Sequence, residues 1–132
     1  MWVAWQGWRN GRAAIFAAGQ QGERFSEPVT VSSSSRNEWN PAIAAGAKGR
    51  VTVAWDSYRN GNYDVYARTM SGGKWGEETA VAVSARYEAY PSLAYEANGR
   101  LWIAYEEGSE RWGKDFGADE SSGIAIYQGR AI

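Results

Sequence analysis

Cysteine and histidine are both missing from these 132 residues, and proline occurs only three times. With no thiol and no imidazole, the polypeptide forms no disulfide, builds no Cys/His zinc site and offers neither a thiolate nucleophile nor a Ser-His-Asp triad. An excess of one charge sign is absent too: 14 Lys and Arg stand against 15 Asp and Glu, with no run of like charges. Nucleic acid and membrane are therefore not expected partners, because the basic footprint that each requires is lacking. No stretch approaches the roughly 20 apolar residues of a membrane span. The opening Met1-Trp2-Val3-Ala4-Trp5 has no cationic leader and no long apolar run. As written, such a chain would stay in the cytoplasm. No window carries an i, i+3, i+4, i+7 apolar pattern, so helical repeats are set aside.

What is present is aromatic and repetitive. Eight Trp, eight Tyr and sixteen Gly suit short strands joined by tight turns. Val3-Ala4-Trp5 returns as Val53-Ala54-Trp55, Arg9-Asn10-Gly11 as Arg59-Asn60-Gly61, and Arg36-x-Glu38-x-x-Pro41 as Arg86-x-Glu88-x-x-Pro91. Ala104-Tyr105-Glu106 opens a third copy against Ala54-Trp55-Asp56. A gapless period of this size marks a repeat architecture, in which one unit buries its apolar faces only by stacking on the next.

Within one period, Ala42 to Gly46 reads as strand A behind Pro41, and Arg50 to Trp55 as strand B. Val51, Val53 and Trp55 alternate with Thr52, Ala54 and Asp56, a period of two whose small second face suits a sheet packed on both sides. The Asn60-Gly61 pair predicts a type I′ hairpin into strand C, Tyr63 to Thr69, and strand D follows over 78–83. Four antiparallel strands per repeat of about 40 to 50 residues form the blade of an all-β propeller. The expected division is blade 1 (strands B–D) over 1–39, blade 2 (A–D) over 40–89 and blade 3 (A–C) over 90–132.

The run from Val53 to Tyr66, together with Pro91-Ser92-Leu93-Ala94 and Gly99-Arg100-Leu101-Trp102-Ile103-Ala104-Tyr105, resembles the blade repeat of bacterial sialidase-like (BNR-like) propellers. That resemblance implies a propeller fold, proteins that are mostly exported, glycan- or protein-binding faces and, in some members, glycosidase or lyase activity. Sialidase activity is not expected. The family's Asp box reads Ser-x-Asp-x-Gly-x-Thr-Trp, whereas the matching turns here, Gln21 to Ser26 and Ser71 to Gly76, contain no Asp.

Two and a half blades leave apolar flanks bare. At on the order of 25 cal/mol per Å², a few hundred Å² on each flank is worth several kcal/mol before association entropy. The expectation is self-association, most simply a homodimer that closes a six-bladed ring. A piece of a longer propeller is the other reading, and both can hold at once.

Loops B–C and D–A emerge on one face. It carries Trp8, Arg9, Trp39, Tyr58, Arg59, Tyr87 and Tyr90, and a longer insertion over 107–122 with Trp112, Asp115 and Phe116. Aromatic plates beside Arg and carboxylates suit sugar rings or peptide segments, so these residues are the candidate ligand site of a non-catalytic binding or scaffold module. Residues that recur between copies favour scaffolding: Trp5, Trp55 and Tyr105 as inter-blade packing, Arg36/Arg86 and Glu38/Glu88 as ion pairs or loop-fixing hydrogen bonds. A glycan-active enzyme is the alternative, drawing on Asp56, Asp64 and Glu106 or on the loop acids Asp115, Asp119 and Glu120. Repetition makes Asp56 and Glu106 turn caps, since Gln6 stands at the same position without charge. No catalytic residue, metal ligand or cofactor is assigned, the acidic loop spacing being unlike an EF-hand.

Overall fold

The computed structural model describes residues 1–112 and the backbone of residues 123–130. Among these, eleven strands form three antiparallel sheets. The first contains β1 (Trp2–Arg9), β2 (Arg12–Gln21), and the short β3 (Arg24–Phe25) and β4 (Val29–Thr30), which both pair with β2. The second runs in chain order through β5 (Glu38–Ala45), β6 (Val51–Arg59), β7 (Asn62–Ser71) and β8 (Lys74–Ala82). The third holds β9 (Glu88–Tyr95), β10 (Arg100–Glu107) and β11 (Gly123–Arg130). These are the all-β blades that the repeat predicts.

Turn chemistry explains the hairpins. Asn60 and Gly61 both have positive φ, 54° and 87°, the signature of a type I′ turn whose twist matches the strands on either side. In blade 1 the outer strand is split, because Pro28 lies between β3 and β4 and offers no N–H to a ladder.

Strand A differs from expectation. It starts at Glu38 and Glu88, ahead of the proline in each case, so Trp39 and Tyr90 lie on strands rather than in the D–A loop. The chain passes Pro41 and Pro91 by a bulge: pairing jumps from Trp39↔Asp56 to Ala42↔Ala54, and from Ala89↔Glu106 to Ser92↔Ala104. A bulge is where a strand tolerates proline.

Packing between sheets is carried by the two faces of strand B. On one side Val53 and Trp55 meet Ile15, Ala17 and Val31 of blade 1. On the other, Ala54 and Ala67 meet Leu101 and Ile103 of blade 3. Every residue from Val51 to Ser57 is buried as a result. The repeat-equivalent positions in blade 1 stay wet: Trp5 is 37% exposed and stacks on Phe16, whereas Trp55 is 0% exposed. Trp55→Ala is expected to cost about 3–5 kcal/mol in urea unfolding followed by far-ultraviolet circular dichroism. Trp5→Ala should cost no more than about 1.5 kcal/mol, since only a ring stack is lost.

Candidate functional site

The bulges that carry strand A past its proline also shape the candidate site. A cavity of about 450 Å³ opens between strands A of blades 2 and 3, lined by Trp39, Asn40, Asp56, Tyr63, Tyr87, Ala89, Tyr90, Glu106, Gly108 and Trp112. Register explains the choice of residues. Trp39 lies opposite Asp56 and Ala89 opposite Glu106, so the same two strand positions contribute in both blades. Trp fills its place in blade 2 and Ala leaves room in blade 3.

One wall is aromatic. The Tyr63 ring meets Tyr58 at 5.1 Å, Trp112 at 5.4 Å and Tyr87 at 5.8 Å between centroids, and Tyr87 meets Trp112 at 5.0 Å. Most of these pairs are edge-to-face, the arrangement that ring quadrupoles favour. Main-chain bonds pin the wall, with Gly108 N–H donating to the Tyr87 carbonyl (2.8 Å) and Tyr87 N–H to the Ser109 carbonyl (3.3 Å). A side chain at position 108 would sit 3.2 Å from Tyr87 Cβ, so the close approach depends on glycine there. Burial, with Asp56 nearby, pushes the Tyr63 and Tyr87 hydroxyls above their ordinary range, and both stay protonated donors.

Asp56 is the most constrained group in the cavity. It has no exposed surface, and its Oδ2 accepts from Asn40 Nδ2 (2.9 Å) and from the Tyr90 backbone N–H (3.0 Å). Its Oδ1 is buried without a hydrogen-bond partner. Gln6 does the same job one blade earlier, its Oε1 accepting the Asn40 backbone N–H at 2.9 Å. Strand B of one blade thus holds the bulge of the next. Asn40 and Tyr90 both sit at positive φ, 49° and 54°. That conformation is ordinary for Asn and rare for a bulky residue such as Tyr, and strain of this kind gathers at binding and catalytic sites.

Of the residues singled out from sequence, Trp39, Tyr87, Tyr90 and Trp112 converge on this cavity. Trp8 lies beside it, 71% exposed and edge-on to Trp39 at 6.1 Å. Tyr58 touches Tyr63 but lines a separate depression with Arg12, Arg36 and Asn37. Arg9 points away, donating to Thr30 Oγ1 at 3.0 Å. Asp115 and Phe116, with Asp119 and Glu120, lie outside the described residues. Arg59 must be corrected: its guanidinium is spent on Glu38 (3.1 Å) and Glu78 (2.6 Å) and lies 3.6 Å from the Tyr66 ring centroid. It is a structural clamp across strands A, B and D of blade 2.

The recurrent Arg and Glu pairs also need revision. Glu38 pairs with Arg59, and Arg86 with Glu107 at 3.0 Å, not with the glutamate of its own motif. The loop-fixing bonds that do recur centre on serine, Ser34 and Ser84 accepting the backbone N–H of Arg36 (2.8 Å) and Arg86 (3.0 Å), with Ser84 also donating to buried Glu88. Asn40 and Tyr63 were not singled out from sequence. Asn40 had one available signal, its place beside Tyr90 in the repeat, each just before a proline. Among the described residues, no three metal-ligating side chains gather.

Burial raises the Asp56 carboxyl from its ordinary 3.8 to about 6, against the pull of the Asn40 and Tyr90 hydrogen bonds. Burial and the neighbouring Glu88 do the same for Asp64, also to about 6. A carboxyl raised on folding binds more protons in the native than in the unfolded state between these values, so the native state loses stability as pH rises from about 4 to about 6. For Asp56 the loss is on the order of 3 kcal/mol. Asp56→Asn keeps an acceptor for the Tyr90 N–H, as Gln6 does for Asn40. Its melting temperature should therefore fall less than that of the parent between pH 4 and pH 7, as read by calorimetry.

No family model matches this chain, and no curated protein does. Among solved structures it is similar to the endo-arabinase from Bacteroides thetaiotaomicron, with a TM-score of 0.52 and 16% identity over 87% of this chain. The chain spans 46% of that protein's length. At this identity the likeness speaks for the fold alone, an all-β, propeller-like stack of blades.

Proposed function

We propose that this chain is a non-catalytic carbohydrate-binding propeller segment whose ligand enters the cavity between blades 2 and 3. The observation that carries this reading is an aromatic wall of Tyr63, Tyr87 and Trp112 in one cavity with Asp56, whose buried Oδ1 has no hydrogen-bond partner. Sugar rings present C–H faces that stack on aromatic plates and hydroxyls that donate to carboxylates. The resemblance of the blade repeat to sialidase-like propellers, some of which act on glycans, supports a glycan over a peptide. Trp112→Ala and Trp39→Ala should each weaken glycan retention at least tenfold on an array that the parent protein binds, with folding unchanged. An array with no retained glycan sinks the reading.

One observation favours a second reading, a glycan-active enzyme. Asp56 and Glu106 line the same cavity, and a carboxyl held near pH 6 by burial is suited to general acid catalysis. Under that reading Asp56→Asn and Glu106→Gln abolish glycoside cleavage while binding persists. Absence of turnover on every retained glycan leaves the non-catalytic reading standing.

The bare flank of blade 1 supports assembly. Val3 and Trp5 are exposed at the positions where Val53 and Trp55 are fully buried against a neighbouring blade, and a second copy of this chain is the partner assigned to that face. Two copies would close a six-bladed ring. Light scattering should return twice the 14.5 kDa chain mass, and Trp5→Glu should halve it; a parent protein that stays at 14.5 kDa at high micromolar concentration removes the proposal.

A further inference from the structure

We infer that the cavity prefers a positively charged sugar, a hexosamine with a free amine, over its neutral N-acetylated form and excludes acidic sugars. This rests on the carbohydrate-binding reading and deepens it. Two carboxylates, Asp56 and Glu106, line the cavity, and no Lys or Arg lines it among the described residues. Two cations of the same face are engaged elsewhere, Arg59 with Glu38 and Glu78, and Arg86 with Glu107. Among the described residues, the lining therefore holds no counter-charge for an anion.

Two independent features call for a cationic donor. The Asp56 side chain is fully buried and keeps one oxygen without a partner, and an uncompensated buried carboxylate is costly until a donor or opposite charge reaches it. An ammonium supplies both, with three N–H groups, where an N-acetyl group supplies one N–H and no charge. Tyr63, Tyr87 and Trp112 present the electron-rich rings that attract a cation, most strongly when it is desolvated. Glu106, exposed at the rim, adds longer-range attraction during approach.

The test compares three tetrasaccharides by titration calorimetry near neutral pH and low salt: fully deacetylated chitosan, its N-acetylated counterpart chitin, and tetragalacturonate. The deacetylated sugar should bind about tenfold tighter than the acetylated one, and the galacturonate should show no measurable binding. Raising salt to 0.5 M should bring the two hexosamines closer, and Glu106→Gln should narrow their ratio about threefold at low salt. Equal affinity for the amine and N-acetyl forms, or tighter binding of galacturonate, overturns the charge preference and leaves carbohydrate binding intact. If none of the three binds, the charge preference falls, and carbohydrate binding is decided by the array alone.

Discussion

The contact of strand B with a neighbouring blade on each of its two faces is the constraint on which everything else rests. Val53 and Trp55 press on blade 1 while Ala54 faces Leu101 and Ile103 of blade 3. A sheet packed on both sides cannot alternate apolar with polar. Its second face must be small, and any polar group on it must find a partner, which is why Ala54 and Thr52 flank the bulky Val53. Large residues on one face and small ones on the other let successive sheets approach closely without voids. Thr52 keeps its hydroxyl satisfied in this dry layer by meeting Thr69 and the Tyr95 hydroxyl of blade 3, both at 2.6 Å. The blades are joined by polar contacts as well as by apolar area.

The second bond between blades runs through the bulges. Because Gln6 and Asp56 each accept a backbone N–H from the following blade, the main chain of the left-handed residues Asn40 and Tyr90 is held by a neighbouring blade. Site and scaffold thereby share the same atoms. Asp56 Oδ2 keeps Tyr90 in a conformation that tyrosine rarely adopts, and the Tyr90 residue so held lines the cavity. Arg59 makes a parallel arrangement on the outer side, where it ties Glu38 and Glu78 together and leaves Glu78 free to accept from Ser33 of the incoming chain at 2.9 Å.

The architecture was legible because it repeats. Val53-Ala54-Trp55 fixed strand B by alternation, and Asn60-Gly61 fixed its hairpin, both local signals with a single physical meaning. Strand A was harder. Proline normally ends or borders a strand, and nothing in Asn40-Pro41 announces that a bulge will carry the ladder through it. Deviation from the repeat points to Trp39 and Trp112, and both line the cavity. The same rule assigns Arg59, which recurs as Arg9, to the scaffold, although its place among the face's aromatics made it a site candidate; the two copies have different fates, an exposed hydrogen bond to Thr30 in one and a half-buried double ion pair in the other. Repetition suggests a turn cap at Asp56, whereas Asp56 lies within β6, fully buried, and accepts from the bulge of the next blade; burial is a tertiary property that no local pattern carries.

At the end of strand B, the scaffold asks only for an oxygen lone pair. Gln6 supplies it as an amide and Asp56 as an acid, with no difference in the main-chain bond that results. Ionisable chemistry can therefore be introduced or removed at that point of each repeat unit without redesigning the backbone, which makes it the place where a lineage built on this module would diversify what the cavity between blades recognises.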